Sequence, residues 1–205
     1  MNAVDGSRRT SKATWVAAML SDLVDWIRRR PVEMPPTVAA IRHSADTRMT
    51  LWLIAGSDLV TAAAIDLMLP PRFRPLHLGL EAVLLTLVLG ITAMMSRAPH
   101  LLGDGELRVR TGPFGEVCVP LASIRTVRAA HGRVDGFGLR ADPENDEAVA
   151  CSTAAGTTLS VEVRPPVPVR LRKGRVVEAG VVRFSADEPS VAARLIREAV
   201  ADARG

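Results

Sequence analysis

The chain has 205 residues, with 26 Lys and Arg against 22 Asp and Glu and a formal net charge of +4. Hydrophobic residues make up 48%, and the mean hydropathy of +0.18 is high for a small soluble protein. A pI of about 10.0 permits an anionic partner. Because tyrosine is absent and aromatic platforms do not interleave with the basic residues, we expect no nucleic-acid partner.

No catalytic or metal-binding motif is recognisable in the sequence. Cys118 and Cys151 lie far apart without a Cys-x-x-Cys frame, and the four histidines lack ligand spacing. The glycines form neither a dinucleotide-binding nor a Walker pattern. We therefore expect no enzymatic activity, no cofactor and no metal, and two reduced cysteines in a cytoplasmic domain.

Residues 11–30, SKATWVAAMLSDLVDWIRRR, predict an amphipathic helix with its apolar side chains on one half and two aspartates on the other. Trp15 and Trp26 are nearly superposed along its axis. The helix fits two roles: it can lie in the inner membrane boundary with these tryptophans as interfacial anchors, or it can dock on a partner. The PVEMPP stretch that follows predicts a linker.

Two apolar segments, residues 51–69 and 76–95, predict membrane-spanning helices. The second is long enough to cross about 30 Å of hydrocarbon and carries no charge from residue 82 to residue 96. The first contains Asp58 and Asp66, so it is marginal alone and becomes favourable when it inserts as a hairpin with the second.

This hairpin divides the chain into a cytoplasmic arm at 1–48, a transmembrane helical hairpin at 49–97 and a cytoplasmic domain at 98–205. Basic residues near the two outer segments outnumber those in the connecting turn, which predicts a multi-pass inner-membrane protein with both termini cytoplasmic. Trp52 supplies a third interfacial anchor at the inner boundary of the first span.

Three aspartate or glutamate residues and one histidine fall within the predicted hairpin: Asp58, Asp66, Glu81 and His77. In an antiparallel arrangement Asp66 lies opposite Glu81, His77 is one turn before Glu81, and the turn arginines Arg72 and Arg74 are close in sequence. This set predicts a charged cluster at the outer interface, either a salt-bridge set that orients the turn or a functional site.

Asp58 is predicted to lie deeper, near Thr86 or Val88. Ser57 and Thr61 beside it favour close helix approach and a hydrogen bond to Thr86 or to another copy of the protein. The alternative is that Asp58 handles protons or ions in a multimeric assembly.

After residue 97 the apolar periodicity changes to two, which predicts short strands of an antiparallel barrel or sandwich. Among them are ELRVRT at 106–111, EVCVP at 116–120, TLSVEVR at 158–164 and VPVRLR at 167–172. A closing helix is predicted at 187–204, with Pro189 in its first turn. The fold class expected is an α+β membrane protein.

The stretch GDGELRVRTGPFGEVCVPLASIRTVRA at 103–129 resembles the opening of bacterial pleckstrin-homology-like (PH-like) domains that follow a pair of membrane helices. The resemblance covers roughly residues 76–200. It implies a PH-like antiparallel barrel with a terminal helix, acting as a binding or scaffolding module without enzyme activity, and it brings no ligand with it.

The candidate contact surface of this domain is the basic turn at 169–175, with Arg170, Arg172, Lys173 and Arg175. These residues are either a contact for anionic lipid or a partner, or ordinary solvated charges.

The sequence thus predicts a membrane protein that presents a PH-like scaffolding domain at the inner leaflet. Its expected partners are membrane lipids and a protein partner or a second copy of the chain. The alternative is a subunit of a small oligomeric ion- or proton-coupled transporter or channel that uses Asp58.

Overall fold

The computed structural model describes residues 12–43, 45–112, 115–134, 136, 138–142, 145–152, 156–171 and 174–204. In this part of the chain it contains four α-helices and two β-sheets. The helices are α1 Lys12–Ile27, α2 Ala45–Met68, α3 Arg74–Ser96 and α4 Pro189–Asp202. The strands are β1 Ala39–Ile41, β2 His100–Gly103, β3 Glu106–Arg110, β4 Glu116–Pro120, β5 Ile124–Arg133, β6 Gly138–Ala141, β7 Ala148–Ser152, β8 Gly156–Arg170 and β9 Val176–Phe184.

Helices α2 and α3 form the predicted hairpin, and both are long and apolar enough to cross a membrane by length and composition. Pro70 and Pro71 follow the end of α2, while Pro75 occupies the first turn of α3, where its missing N–H costs nothing. Of the most apolar window of α2 only 6% is buried, so this helix does not form the core of the folded chain.

The first sheet is an antiparallel meander in the order β1-β2-β3-β4. Its first strand comes from the arm: Ala39 pairs with Leu102, and Ile41 pairs with His100. The boundary predicted at residue 48 therefore separates β1 from the sheet to which it belongs. Helices α2 and α3 lie, in sequence, between the two paired strands β1 and β2. A three-residue strand after the PVEMPP stretch is too short for its periodicity to be visible in the sequence.

The second sheet is mixed, in the order β5-β8-β9-β7-β6, so the prediction of a wholly antiparallel domain is wrong for this sheet. Strand β9 lies between β8, to which it is antiparallel, and β7, to which it is parallel. Near the Phe184 end of β9, the hydroxyls of Ser152 and Ser185 both donate to the carbonyl of Gly156. Two predicted strands are also joined in β8, which is irregular between Glu162 and Val167 at its prolines.

Both sheets contribute to one hydrophobic core, which α4 covers. Leu107 and Val119 of the first sheet, Val161 and Phe184 of the second, and Ile196 of α4 are all fully buried within it. The predicted closing helix is confirmed, and its buried positions follow the helical period from Ala192 to Val200.

Helix α1 packs on α3 instead of standing apart, although residue 11 of the predicted helix lies outside the described residues. Met19 and Leu23 are buried, and Met19 covers Gly90: a Cβ added at Gly90 would lie 2.6 Å from Met19 Cγ. Arg97, after the end of α3, contacts Asp22 at 3.4 Å and Asp25 at 3.6 Å. The two aspartates on the polar half of α1 therefore pair with an arginine at the end of the hairpin.

The opposite side of α1 is also apolar. Four side chains one turn apart remain 43–65% exposed there: Val16, Leu20, Val24 and Ile27. Since no residue is charged from Ala13 to Ser21, most of this helix presents apolar side chains in every direction. The helix therefore docks on its own chain and keeps an apolar outer face.

We expect Gly90→Leu to displace α1, because the larger side chain meets Met19 at a distance that no Cβ contact allows. Overpacking of this kind costs about 1–3 kcal/mol. The measurement is the loss of the coupled circular-dichroism signal of Trp26 and Trp52, whose rings are 6.1 Å apart. Gly79→Leu on the same helix is the control, since nothing lies within 4 Å of a Cβ there. An unchanged signal in Gly90→Leu contradicts the packing described.

Candidate functional site

A polar cluster joins α2 and α3 near the turn that connects them. His77 Nδ1 lies 3.8 Å from Asp66 Oδ1, and His77 Nε2 lies 3.4 Å from Glu81 Oε1. All three side chains are largely buried, and both ring nitrogens lack a hydrogen bond among the described residues. The imidazole separates two carboxylates, and only its doubly protonated form carries an N–H for each of them.

The turn arginines do not neutralise this cluster as predicted. The Arg72 guanidinium lies 4.7 Å from the centroid of the Phe73 ring, and Arg74 Nε donates to the Leu69 carbonyl at 3.2 Å. Arg74 thereby satisfies a carbonyl at the end of α2. In the described part of the chain, His77 is the only basic residue whose side chain lies within ion-pair distance of Asp66 or Glu81.

Asp58 lies on the stripe of α2 that includes Ala55 and Ala62, the two residues this helix buries. The predicted hydrogen bond to Thr86 is absent, because the Thr86 hydroxyl donates to the Ala82 carbonyl of its own helix at 2.7 Å. Asp58 instead borders a groove of about 430 Å³ on the flank of α2. The groove is lined by Thr50, Leu53, Ile54, Ser57, Asp58 and Thr61.

Of the three predicted anchors, Trp15, Trp26 and Trp52, the last two are in contact near the base of the hairpin. Trp15 is partly buried on the α1 face that includes Met19. Below them, Arg97 donates to the Arg30 carbonyl at 2.7 Å in addition to its two carboxylate contacts. Aromatic and charged contacts therefore join α1 and the residues after it to the hairpin.

The hairpin is held to the sheets by Asp187, in the segment between β9 and α4. Its Oδ1 accepts the Ala45 N–H at 2.8 Å, which caps the start of α2, and its Oδ2 pairs with Arg48 at 3.3 Å. The Asp187 N–H donates to the Arg42 carbonyl at 3.0 Å. Arg48 also donates to the His43 carbonyl at 2.9 Å. Local chain direction at the base of α2 is thus fixed by a residue 142 positions later.

Next to this contact two buried histidines stack, with ring centroids 4.1 Å apart: His43 before α2 and His100 after α3. The His100 ring also meets Phe184 edge-on at 5.1 Å. His100 Nδ1 accepts the Arg110 N–H at 3.0 Å, so Nε2 carries the proton and donates to the Ser185 carbonyl at 2.9 Å.

Both histidines are held neutral. Burial, with smaller contributions from Arg48 and Arg110, lowers the pKa of His43 to about 4. Burial, with the neighbouring His43 next, lowers the pKa of His100 to about 3. Sequence reasoning searched the histidines only for ligand spacing and missed this pair, because its members flank the hairpin and meet only through the pairing of Ile41 with His100.

The basic turn after β8 lies far from this junction. Arg170 and Arg175 are exposed, and Arg172 and Lys173 lie outside the described residues. The turn precedes Val176 at one end of β9, whereas Phe184 at the other end touches His100. Eight residues of strand separate these ends by roughly 26 Å. The basic turn and the His43–His100 pair therefore lie at opposite ends of β9.

Groups of three potential metal ligands do not occur among the described residues. The two cysteines are free, and burial raises the pKa of the Cys151 thiol to about 12. Comparison of the chain with protein-family models, with curated proteins and with solved structures gives no match. The function therefore has to be inferred from the geometry of the hairpin, the junction and the domain.

Stability should fall as the pH drops from about 6.5 toward 4. Because both folded-state pKa values lie below the ordinary value of 6.5, the unfolded chain binds more protons in this window. The slope is at most about 1.4 kcal/mol per pH unit for each histidine. The measurement is chemical denaturation of the detergent-solubilised chain across this range.

Two variants separate the roles of these rings. His43→Phe keeps a stacking ring and removes a buried Nε2 without a partner, so it should flatten the pH dependence at little cost near pH 7. His100→Phe strands the Arg110 N–H and the Ser185 carbonyl, which costs about 1–3 kcal/mol for each group. A wild-type pH profile in His43→Phe would refute the assignment.

Proposed function

We propose that this chain is an integral membrane protein in which α2 and α3 cross the bilayer and hold a PH-like scaffolding domain at its cytoplasmic face. The observation that carries the proposal is the apolar surface of the hairpin. Large side chains on both helices are exposed in the folded chain, among them Leu53 65%, Val60 73%, Leu67 80%, Leu76 75% and Val83 65%. An apolar surface of this extent fits a lipid environment and not water.

The distribution of charge supports an orientation with both chain ends on the cytoplasmic side. Arg28, Arg29, Arg30, Arg48 and Arg97 surround the base of the hairpin, whereas the opposite turn offers only Arg72 and Arg74. Basic residues near the ends of spans favour the cytoplasmic side. The aromatic contact of Trp26 with Trp52 at the same base fits a membrane boundary.

A PH-like scaffold is supported by the arrangement of the domain. Two sheets share one core, and a C-terminal helix covers it. The mixed second sheet and the strand contributed by the arm are departures from a simple antiparallel barrel. We assign this domain a binding role, because the resemblance to PH-like domains implies one and because Arg170 and Arg175 are exposed for contact.

The contacts of Asp187 add a mechanical argument. A domain tied to the start of α2 by a cap, an ion pair and a backbone hydrogen bond keeps a fixed distance and direction from the hairpin. Such a coupling suits a module that holds a partner near the membrane surface, and a flexible tether would not.

Topology reporters test this proposal directly. A reporter that is active only in the cytoplasm should be active when fused after Gly205, and inactive when it is inserted in the turn at 70–73, because the hairpin reverses the chain once. The protein should also stay in the membrane pellet after alkaline carbonate extraction. Release into the aqueous fraction, or a reporter after Gly205 active only outside the cytoplasm, would overturn the proposal.

The groove beside Asp58 generates a second test, which separates a packing role from ion handling. Asp58→Asn keeps the size and removes the charge, and we expect it to weaken self-association by about 0.6–2 kcal/mol. The measurement is the monomer fraction in detergent by analytical ultracentrifugation.

Glu81→Gln provides a charge-matched control at the outer end of the hairpin. Normal assembly of Asp58→Asn, together with a proton or cation flux in liposomes that this variant loses, would favour the transporter alternative.

A further inference from the structure

Four arginines converge on one depression between β5 and α4. The depression has a volume of about 450 Å³. Arg125 and Arg128 come from β5, and Arg197 and Arg204 come from α4. The sequence gives little hint of it, because the two pairs are separated by almost seventy residues.

A β-bulge places the two strand arginines on the same side. Residues three apart in a regular strand point to opposite faces. The pairing of β5 with β8 shifts between Ile124 and Thr126, so Ile124 and Val127 both point into the core. Arg125 and Arg128 are consequently both exposed on the outer face.

The helix supplies its pair by ordinary helical spacing. Arg197, Ala201 and Arg204 fall at i, i+4 and i+7 and therefore line one face of α4. The Arg197 Nε donates to the Ala193 carbonyl at 3.1 Å, and Arg204 donates through Nη2 to the Ile124 carbonyl at the start of β5. Each of these bonds fixes one side of a guanidinium and leaves further N–H groups of the fork for a ligand.

The positive charge of the depression is only weakly compensated. Among the described residues, one carboxylate reaches these arginines: Glu162 lies 4.0 Å from Arg128, and both side chains are about half exposed or more. Exposed pairs of this kind contribute little. The C-terminal end of α4 adds the equivalent of about half a negative charge. Glu198 is directed to Arg194 on another face of the helix.

We propose that this depression is a binding site for a phosphate monoester group. Guanidinium forks match the oxygens of phosphate in pairs, and two of them from each side can hold a doubly charged group. The Thr126 hydroxyl offers a neutral donor in the same lining, and Val127 and Val200 give it an apolar floor. The volume exceeds that of a phosphate, which leaves space for the group that carries it.

The phosphate group belongs either to a soluble phosphorylated molecule or to a lipid headgroup. The distance of the depression from the base of the hairpin is compatible with both. Pro189, the first residue of α4, lies two residues after Asp187, which contacts the hairpin base. Arg197 and Arg204 are 8 and 15 residues beyond Pro189. These separations correspond to about 12 and 23 Å along the helix. The site does not depend on the membrane placement proposed above, since it is formed wholly by β5 and α4.

The test uses the full chain in phosphatidylcholine nanodiscs, because the sheet of the domain includes residues 39–41 from the arm. Binding of inorganic phosphate is measured by ³¹P line broadening. Retention of phosphatidic acid, added to the nanodiscs, is measured by native mass spectrometry. The test variant is Arg125→Gln with Arg197→Gln. The control is Arg133→Gln with Arg194→Gln, which removes the same charge from the same two elements outside the depression.

We expect the wild type and the control to bind at least one probe and the test variant to bind it about tenfold more weakly. Phosphate binding identifies a soluble ligand class, and phosphatidic acid retention with little phosphate binding identifies a lipid headgroup. Absence of binding of both probes to the wild type would overturn the proposal, as would an equal loss in test and control variants. Matching thermal unfolding of the two variants excludes misfolding as the cause of a difference.

Discussion

The Asp187 carboxylate is the contact on which the arrangement of this molecule depends. One of its oxygens accepts the first amide of α2, and the other meets Arg48 one turn later. Because the first four amides of a helix lack partners within the helix, an acceptor supplied from the other end of the chain sets both the start and the direction of α2. The backbone of the same residue bonds to Arg42, so the segment before α2 is fixed as well.

Around this contact, the polar groups of the hairpin fall into two kinds. At the base, Arg97 lies 3.4 Å from Asp22 and 3.6 Å from Asp25 and donates to a backbone carbonyl, and His100 has partners for both ring nitrogens, whereas Arg97 Nε and His43 Nε2 lack a hydrogen bond. At the far turn, His77 lies near two carboxylates without a well-directed hydrogen bond. Fully partnered buried groups specify one arrangement, whereas partly partnered ones leave room for movement or exchange of protons. His100 is therefore more firmly positioned than His77.

Helical elements were well predicted from the sequence, because their signals are local. The long apolar runs and the prolines between them define α2 and α3, and Pro189 with the apolar stripe of its helix defines α4. The docking of α1 was not predicted. Its pattern shows an acidic face, but the Arg97 that pairs with this face is more than seventy residues away. Pattern alone does not reveal which distant charge a surface meets.

For the strands, too, features that depend on neighbouring residues were predicted, and features that depend on distant residues were not. The alternation in β3 and β4 predicted both strands at the positions observed. Strand β1 was missed because it is short, and the parallel pairing of β7 with β9 was missed because register between distant strands is set by the shared core. For the candidate sites, the polar residues of the hairpin were identified and their partners were not: Arg72 and Arg74 turned away, and Thr86 bonded within its own helix.

The pairing of β1 with β2 has a consequence for the order in which the chain matures. During synthesis the first strand leaves the ribosome about sixty residues ahead of its neighbour, and both apolar helices are made in between. Its edge amides therefore have no partner until the second apolar helix is finished, and contacts so distant in sequence form late and slowly. The first sheet can therefore close only after α2 and α3 have been made and have brought β2 next to β1. A nascent chain in which one of these helices is misplaced keeps an open strand edge that is sensitive to proteases.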